Sequence, residues 1–340
     1  MTGKAKSYLI PAAALLLLVI AWGGFSYYYP VDPGEEVVSI IIEPGTSFRT
    51  VVDELVTRGV VKSRVMLLYP AQLLGVDRHL APGKYDFPGE NSCHSVLQKF
   101  RNADFVRIKL TIPEGATIWK VASILSAKMD IDSLQVTDLA RDSVWLDNLN
   151  LPCLEGYLFP ETYFFPWGTS ARDACFEMVR MYRTMTDSIW PDTLSIESSR
   201  SHGGDLTRHD IVILASIVEA ETGLDSERRT VASVYCNRLA RGMKLDADPT
   251  VIYGLGGLER PLNRRDLKKD TPYNTYLHKN LPPTPINSPG LASLKAVLDP
   301  EETDYLYFVA DNSGGHQFSR TNAEHNRARK KIKTERNRSD

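Results

Sequence analysis

The longest apolar pattern in the chain lies near its beginning. Residues 8–28 carry no charged side chain, and their centre reads AAALLLLVIAW. As a helix this segment would extend about 31 Å at 1.5 Å per residue. The hydrocarbon core of a bilayer is about 30 Å thick, so the pattern predicts a single transmembrane helix over residues 8–28.

The charges on either side of this helix predict its orientation. Lysines precede it and acidic residues follow it, at Lys4 and Lys6 and at Asp32, Glu35 and Glu36. Lysines and arginines that flank a transmembrane helix are found mainly on its cytoplasmic side. Residues 1–7 are therefore expected in the cytoplasm and the rest of the chain on the periplasmic face of the inner membrane. The alternative is a cleaved signal peptide, but no clear A-x-A site follows the apolar run.

Two later segments share one pattern. Residues 41–55 read IIEPGTSFRTVVDEL and residues 111–125 read TIPEGATIWKVASIL. Each predicts a strand, a glycine turn and a helix, with Ser47 or Thr117 as the N-cap residue. A small repeated module outside the membrane favours attachment to a polymer, although the repeat could also be a common supersecondary unit.

The second repeat marks a boundary between two folded units of a mixed α+β chain. Residues 37–106 are expected to form a small α/β module, residues 107–329 a larger α+β domain, and residues 330–340 a basic tail. The polar, Ser-rich stretch 187–210 reads as a loop. Other predicted elements are helices at 63–74, 92–100 and 225–241, and strands at 83–87, 305–310 and 316–319.

Composition excludes several classes of function. The net charge of −2 at pH 7 gives no support to nucleic-acid binding. The four cysteines form no CxxC pair, and no HExxH occurs, so a metal site is not expected. The cysteines read as small buried residues, with one disulfide as the alternative. No glycine-rich nucleotide motif is present, so no cofactor is expected.

A helix that ends in two glutamates is the most informative segment of the larger unit. Residues 211–222 read IVILASIVEAET, and the first eight carry no charge. A helix that is apolar on all sides is buried. Glu219 and Glu221 lie about 200° apart around such a helix, so one can be buried while the other reaches solvent or a partner.

The neighbouring residues favour Glu219 as the reactive acid. Ala215 and Ser216, one turn earlier on the same face, are small and would leave room for a substrate. Burial at the end of an apolar helix predicts a raised pKa, which would let Glu219 protonate a leaving oxygen at neutral pH. The alternative is that both glutamates form ion pairs with arginines such as Arg228 or Arg229.

Further segments combine acids, aromatic rings and hydrogen-bonding groups. LEGYLFPETYFFP, residues 154–166, has the composition of a sugar-binding cleft, although aromatics at this density are also typical of a core. Residues 245–256 and 271–290 read as ordered loops rich in Asp, Asn, Thr, Tyr and Pro. The residues expected to bind substrate are Glu155, Tyr157, Glu161, Ser216, Asp248, Thr250, Tyr253, Asn274 and Tyr276.

Five motifs in order carry a family resemblance: EGYLFPETY, ASIVEAET, NRLARGMKLDADPTVIYG, YNTYLHKNLPPTPINSPG and YLYFVADNSGGHQFS. From the N-terminal helix to about Arg329 the chain resembles the endolytic murein transglycosylases, the YceG-like proteins. The resemblance implies a LysM-like module after the anchor and Glu219, in ASIVE, as the catalytic residue. It implies cleavage of the MurNAc–GlcNAc β-1,4 bond within peptidoglycan strands, leaving 1,6-anhydro-MurNAc ends and terminating nascent strands. Its implied partners are glycan strands, the inner membrane and peptidoglycan synthases.

A lytic transglycosylase needs one acid/base, whereas hydrolases pair two carboxyl groups at about 5–5.5 Å or 6.5–9.5 Å. Glu219 is expected to protonate the glycosidic oxygen and then to take the proton of the C6 hydroxyl. The group that assists it is left open among the substrate N-acetyl group and residues near Glu155–Glu161 or Asp248. Two alternatives remain at this stage: a hydrolytic muramidase with a second carboxylate, and a wall-binding scaffold without activity.

Overall fold

The computed structural model describes residues 3–34, 37–190 and 206–339, with side chains for all of these except 3–13 and 337–339. Helices and short strands alternate irregularly, which confirms the mixed α+β class. The chain divides into two compact units. The first contains Met1–Ile108 and Phe164–Thr169, and the second contains Lys109–Tyr163 and Ser170–Asp340.

The first elements are α1 (Gly3–Tyr28), β1 (Val37–Ile42), α2 (Phe48–Thr57), α3 (Arg64–Leu74), β2 (Gly83–Pro88), α4 (Cys93–Arg101) and β3 (Arg107–Thr111). They continue with α5 (Ile118–Met129), α6 (Ser133–Leu139), α7 (Ser143–Asn148), β4 (Thr162–Pro166), α8 (Ala171–Thr186), α9 (Arg208–Glu221) and α10 (Asp225–Ala240). The last are α11 (Asp248–Gly254), α12 (Leu291–Leu298), β5 (Tyr307–Ala310), β6 (His316–Ser319) and α13 (Asn322–Ser339).

The apolar N-terminal segment is helical throughout as part of α1. Its side chains from Leu15 to Ile20 are 56–67% exposed. Within the part of the chain that the structure describes, no helix combines the length and the apolar character needed to cross a membrane. The side chains of residues 8–13, the start of the predicted span, and of the predicted tail 1–7 lie outside that part.

The first unit is built around an antiparallel pair of strands, β1 and β2. Ile40 lies opposite Tyr85 and Val38 opposite Phe87, and all four side chains are buried. Alternate residues of β1 therefore face one side, where the apolar faces of α2, α3 and α4 complete the core. The order strand, helix, helix, strand follows directly from the periodicities read in the sequence.

Both copies of the repeated pattern fold as predicted. Ser47 accepts a hydrogen bond from the Thr50 amide at 3.2 Å and begins α2. Thr117 accepts one from the Lys120 amide at 3.3 Å and begins α5. In each copy the turn before the helix contains a glycine with positive φ, where a side chain would be strained (Gly45 at 85° and Gly115 at 72°).

Helix α9 is the core element of the second unit. Its residues Ile211–Val218 are all buried, and Thr207 begins it with a capping box to Asp210. Helices α10, α11 and α12 pack against α9, and α13 packs on the β5–β6 hairpin. All four cysteines are free thiols. Of the predicted loop 187–210, residues 191–205 lie outside the described part of the chain.

Candidate active site

The carboxylate of Glu219 is held by three donors in the last turn of α9. Arg228 donates from Nη2 to Oε1 at 3.2 Å. The Gly290 amide and the Ser293 hydroxyl both donate to Oε2, at 2.9 Å and 2.8 Å. Only 6% of the Glu219 side chain is exposed. Glu219 therefore forms the ion pair with Arg228 that the alternative anticipated for it.

Arg228 is the centre of a small charged cluster. Its guanidinium also donates to Asp225 and, from Nε, to Ser293 at 3.1 Å. Glu114 lies 3.8 Å from the same Nη2 atom, and burial together with the charge of Glu219 raises the pKa of Glu114. Arg229, the other predicted partner, instead pairs with Asp299 at 2.9 Å.

The small neighbours of Glu219 do not leave room for a substrate. Ser216 is fully buried, and its hydroxyl accepts a hydrogen bond from the Ile286 amide at 3.0 Å. Asn287 donates to the Ser216 carbonyl at 2.8 Å. The chain's own loop therefore fills the space beside the small residues, and Ser216 contacts protein rather than an open site.

Glu221, on the other side of α9, lines a polar cavity of about 460 Å³. This volume lies in the range of small-molecule sites. Glu219 is not among the lining residues. They are Glu221, Tyr235, Arg238, Leu245, Asp246, Asp248, Tyr276, Tyr307, Phe308, Val309, Asn322, His325, Asn326 and Arg329, hereafter the Glu221 cavity.

Burial is the largest influence on Glu221 and raises the pKa of its carboxyl group. The nearby charge of Asp248 raises it further. The opposing influences are a hydrogen bond from the Tyr235 hydroxyl to Oε1 at 2.8 Å and the charges of His316 and Arg238. A raised pKa keeps a larger fraction of Glu221 protonated at neutral pH, which is what a general acid requires.

A second carboxylate, Asp248, lies in the same cavity at the start of α11. It accepts a hydrogen bond from the Tyr276 hydroxyl at 2.6 Å. The loop that carries Tyr276 is held in place by Lys244, whose Nζ donates to the Tyr276 carbonyl at 2.8 Å. Asp248 and Tyr276 were both predicted to bind substrate, and the structure brings them together beside Glu221.

Sequence reasoning did not find the opposite wall of the cavity. Arg238 donates to the carbonyls of Leu306 and Leu245, both at 2.6 Å, and lies 3.5 Å from Asp246. Its guanidinium lies 5.3 Å from the centre of the Tyr307 ring. Tyr235 and Arg238 are three residues apart on a predicted helix, so a shared face was the one available signal. Further lining residues come from β5 and α13.

Two predicted substrate residues belong to a separate buried contact. Both oxygens of Glu155 accept a hydrogen bond from the Ile118 amide, each at 3.1 Å, at the beginning of α5. The Tyr253 hydroxyl donates to Oε2 of the same carboxylate at 3.0 Å. Burial raises the pKa of Glu155 to about 7. Glu155 and Tyr253 therefore join α5 to α11 and do not line the Glu221 cavity.

The remaining predicted substrate residues also contact protein. The Tyr157 hydroxyl lies 2.8 Å from Nδ1 of His209 in the core. Thr250 is fully buried and donates to a backbone carbonyl of its own turn. Asn274 is fully buried and donates to two carbonyls of its loop. Glu161 is exposed and accepts from the adjacent Thr162 amide at 2.7 Å. None of the four lines the Glu221 cavity.

Comparison with known proteins agrees with the motifs. A family model described as the YceG-like family matches residues 40–331. The endolytic murein transglycosylase of Bacillus subtilis (strain 168) is 30% identical over 334 residues, which cover 92% of this chain and 90% of that protein. The protein of the same name from Streptococcus pneumoniae serotype 2 (strain D39 / NCTC 7466) is 27% identical, over 94% of this chain and 64% of that protein.

A similar fold has also been solved. The crystal structure of a yceG-like protein from Listeria monocytogenes superposes with a TM-score of 0.58 at 28% identity, covering 86% of this chain and 99% of that one. The family match includes every residue of the Glu221 cavity, since these lie between 221 and 329.

Proposed function

This chain belongs to the YceG-like family, and on that premise we propose that it is an endolytic murein transglycosylase. It cleaves the MurNAc–GlcNAc β-1,4 bond within glycan strands and leaves 1,6-anhydro-MurNAc ends. The relatives that carry this name match nearly the whole chain. The observation that carries the proposal is a buried carboxyl group of raised pKa, Glu221, in a polar cavity large enough for a saccharide.

We assign the acid/base role to Glu221 rather than to Glu219. Both carboxylate oxygens of Glu219 already accept hydrogen bonds from the protein, donated by an arginine, an amide and a hydroxyl. Glu221 has a single hydrogen-bond donor among the contacts described, and it lines the cavity. An acid that must give up a proton to a substrate needs both access and a raised pKa, and Glu221 combines them.

The reaction then needs no second catalytic carboxylate. Glu221 gives its proton to the glycosidic oxygen as the bond between that oxygen and C1 of MurNAc breaks. The resulting carboxylate takes the proton of the C6 hydroxyl of MurNAc, and O6 forms a bond to C1. The proton count of Glu221 is restored and no water is consumed. Asp248 would stabilise the positive charge that develops at C1.

A matched pair of variants tests the assignment. Glu221→Gln is expected to reduce release of anhydro-ended fragments from purified peptidoglycan by about 10²–10⁴-fold, the usual contribution of a general acid. Glu219→Gln keeps an acceptor for its donors and is expected to retain most activity. The reverse result, with both variants folded, would return the role to Glu219 as the sequence favoured. A non-catalytic scaffold would bind glycan, and neither variant would create new glycan chain ends.

One observation favours a hydrolytic muramidase as the second candidate. Asp248 is close enough to Glu221 for its charge to raise the Glu221 pKa, so two carboxyl groups share the cavity. A hydrolase would use the second one to activate water or to attack C1. Mass spectrometry separates the two reactions because hydrolysis adds the mass of water to the product and anhydro closure does not.

We also propose that α1 anchors the enzyme in the inner membrane, with the remainder of the chain on the periplasmic side. Support comes from the uncharged run 8–28 and from the exposed apolar side chains along it, including Trp22 at 64% and Phe25 at 61%. Membranes washed with carbonate are expected to retain the full chain and to release a chain that begins after residue 30. Release of both would contradict the anchor.

The first unit is proposed as a LysM-like module that binds glycan. Its support is the strand, helix, helix, strand order of β1, α2, α3 and β2, with the two strands antiparallel. A chain without residues 37–106 is expected to bind insoluble peptidoglycan more weakly in a sedimentation assay. Unchanged sedimentation would contradict this role.

A further inference from the structure

We propose that the face of α13 lining the Glu221 cavity is a subsite for a carboxylate carried by the substrate. The inference rests on the proposed function and names the chemical group that this part of the site recognises. In murein that group is either the lactyl carboxylate of MurNAc or a carboxylate of the peptide attached to it. Neutral N-acetylglucosamine oligomers have neither.

The first support is the geometry of α13. Four of its side chains line the cavity: Asn322, His325, Asn326 and Arg329. The last three follow Asn322 by three, four and seven residues, so all four lie on one face of the helix. Asn326 donates to the Asn322 side chain at 3.1 Å, which orders the two amides. The face therefore presents amide, imidazole and guanidinium groups together.

A second support is a buried polar atom on this face. Nδ1 of His325 is buried and has no hydrogen-bond partner among the described residues. The His325 ring stacks on Tyr307 with centroids 5.5 Å apart, which fixes its plane in the cavity wall. A buried nitrogen without a partner costs free energy, and a ligand atom or a water held by a ligand would satisfy it.

The third support is the positive charge that α13 adds to the cavity. Acidic side chains line the cavity from the end of α9, the loop before α11 and the start of α11, namely Glu221, Asp246 and Asp248. Positive charge comes from Arg238, which lies 3.5 Å from Asp246, and from Arg329 on α13. Burial and these two charges lower the pKa of His325. Arg238 is fixed by backbone carbonyls, whereas Arg329 lies on the exposed surface of α13.

This arrangement fits a saccharide with an acidic substituent. The wall that contains Glu221 would contact the glycosidic bond, and the wall formed by α13 would contact the substituent. A guanidinium with neighbouring amides is a favourable partner for a carboxylate because it donates several hydrogen bonds in fixed directions. A neutral saccharide would offer the Arg329 guanidinium no charged partner.

Binding of three disaccharide probes to the full chain tests the proposal. The first is neutral diacetylchitobiose, the second is GlcNAc–MurNAc with a free lactyl carboxylate, and the third is GlcNAc–MurNAc with its peptide attached. None contains the MurNAc–GlcNAc bond, so binding is measured without turnover. We expect the carboxylate-bearing probes to bind roughly five- to tenfold more tightly than the neutral one, and less so at high salt.

Variants on α13 supply the control. Arg329→Gln is expected to remove the preference. Lys331→Gln removes the same charge from the same helix, but Lys331 pairs with Glu335 at 3.9 Å and does not line the cavity, so the preference should persist. If only the probe with the free lactyl carboxylate is preferred, the group recognised is the lactyl carboxylate. If only the peptide-bearing probe is preferred, the carboxylate belongs to the peptide, because the amide bond to the peptide consumes the lactyl carboxylate. Preference for both means that the subsite accepts either carboxylate.

Equal binding of all three probes, or equal effects of the two variants, would overturn the subsite. The proposed function fails by a different result, the absence of new glycan ends in digests of peptidoglycan. A protein that makes anhydro ends without a charge preference disproves only the subsite. One that prefers acidic probes without making new ends disproves only the activity.

Discussion

The Tyr235 hydroxyl donates a hydrogen bond to Oε1 of Glu221 at 2.8 Å. Tyr235 is buried in α10 and packs edge-on against the Phe308 ring, with centroids 5.8 Å apart. Burial raises the pKa of Tyr235 well above its ordinary value, so the hydroxyl remains a donor. With Oε1 fixed in this way, the proton that Glu221 transfers is favoured on Oε2.

Replacing Tyr235 with Phe should move the alkaline limit of activity. The Tyr235 hydrogen bond lowers the pKa of Glu221, so its loss raises that pKa. Glu221 then stays protonated to higher pH, so the pH at which kcat declines should increase. Loss of positioning should separately lower kcat about tenfold, equivalent to about 1.4 kcal/mol. The pH profile of kcat measures both effects. An unshifted profile would mean that Glu221 ionisation does not limit the rate, and exposed Tyr69→Phe serves as the control.

Glu219→Ala is expected to destabilise the second unit rather than to alter its chemistry. The variant leaves the guanidinium of Arg228, 7% exposed, without its buried partner. Removing one member of a buried ion pair costs about 3 kcal/mol or more. Urea unfolding measures the loss, and Glu302→Ala, on the exposed surface, should change stability by less than about 0.5 kcal/mol. Equal effects of the two variants would show that the pair contributes little.

Glu155 predicts a dependence of stability on pH. Its pKa is about 7 in the folded chain against an ordinary value of 4.5. Between these pH values the folded state binds more protons than the unfolded state, so the free energy of unfolding falls as pH rises. The contribution is fully present below pH 4.5 and is lost by about pH 7, a change of roughly 3 kcal/mol at most.

Glu155→Gln should flatten this dependence because glutamine does not titrate. Denaturation at pH 5, 6 and 7 measures how steeply the free energy of unfolding changes with pH. Any loss of stability caused by the glutamine amide that is the same at every pH does not affect this slope. Glu161→Gln is the matched control, since Glu161 is exposed and should leave the slope unchanged. A slope that survives in Glu155→Gln would assign the titration to another group.

Gly156→Ala should destabilise through two separate effects. The residue has φ of 86°, and an added Cβ would lie 2.5 Å from the ring of Pro285. Backbone strain and the steric contact together should cost about 3 kcal/mol. Gly168→Ala shares the first effect, with φ of 81°, but its Cβ would meet nothing within 4 Å, so about 1 kcal/mol is expected. Thermal or urea unfolding compares the stabilities of the two variants. Equal losses of stability would show that the contact with Pro285 contributes nothing to the effect of Gly156→Ala.

Local structure could be predicted because its causes are local. Ser47 and Thr117 begin their helices as N-caps, and the apolar run 211–218 forms a buried helix. The return strand 316–319 pairs with β5 as the turn between them required. Each of these depends on residues within one or two turns of one another, so hydrophobic spacing and hydrogen-bonding side chains are enough to specify it.

The sequence by itself determined the family, the elements and the helix that carries the two glutamates. It favoured Glu219 over Glu221 because of the small neighbours Ala215 and Ser216, but small neighbours on a helix leave space only if nothing else occupies it. The loop that contains Ile286 and Asn287 fills the space beside Ser216, about seventy residues away along the chain. On the other side of α9, side chains of α10, β5 and α13 line a polar cavity beside Glu221. Tertiary packing therefore leaves Glu221 facing the cavity, while Glu219 is held by Arg228.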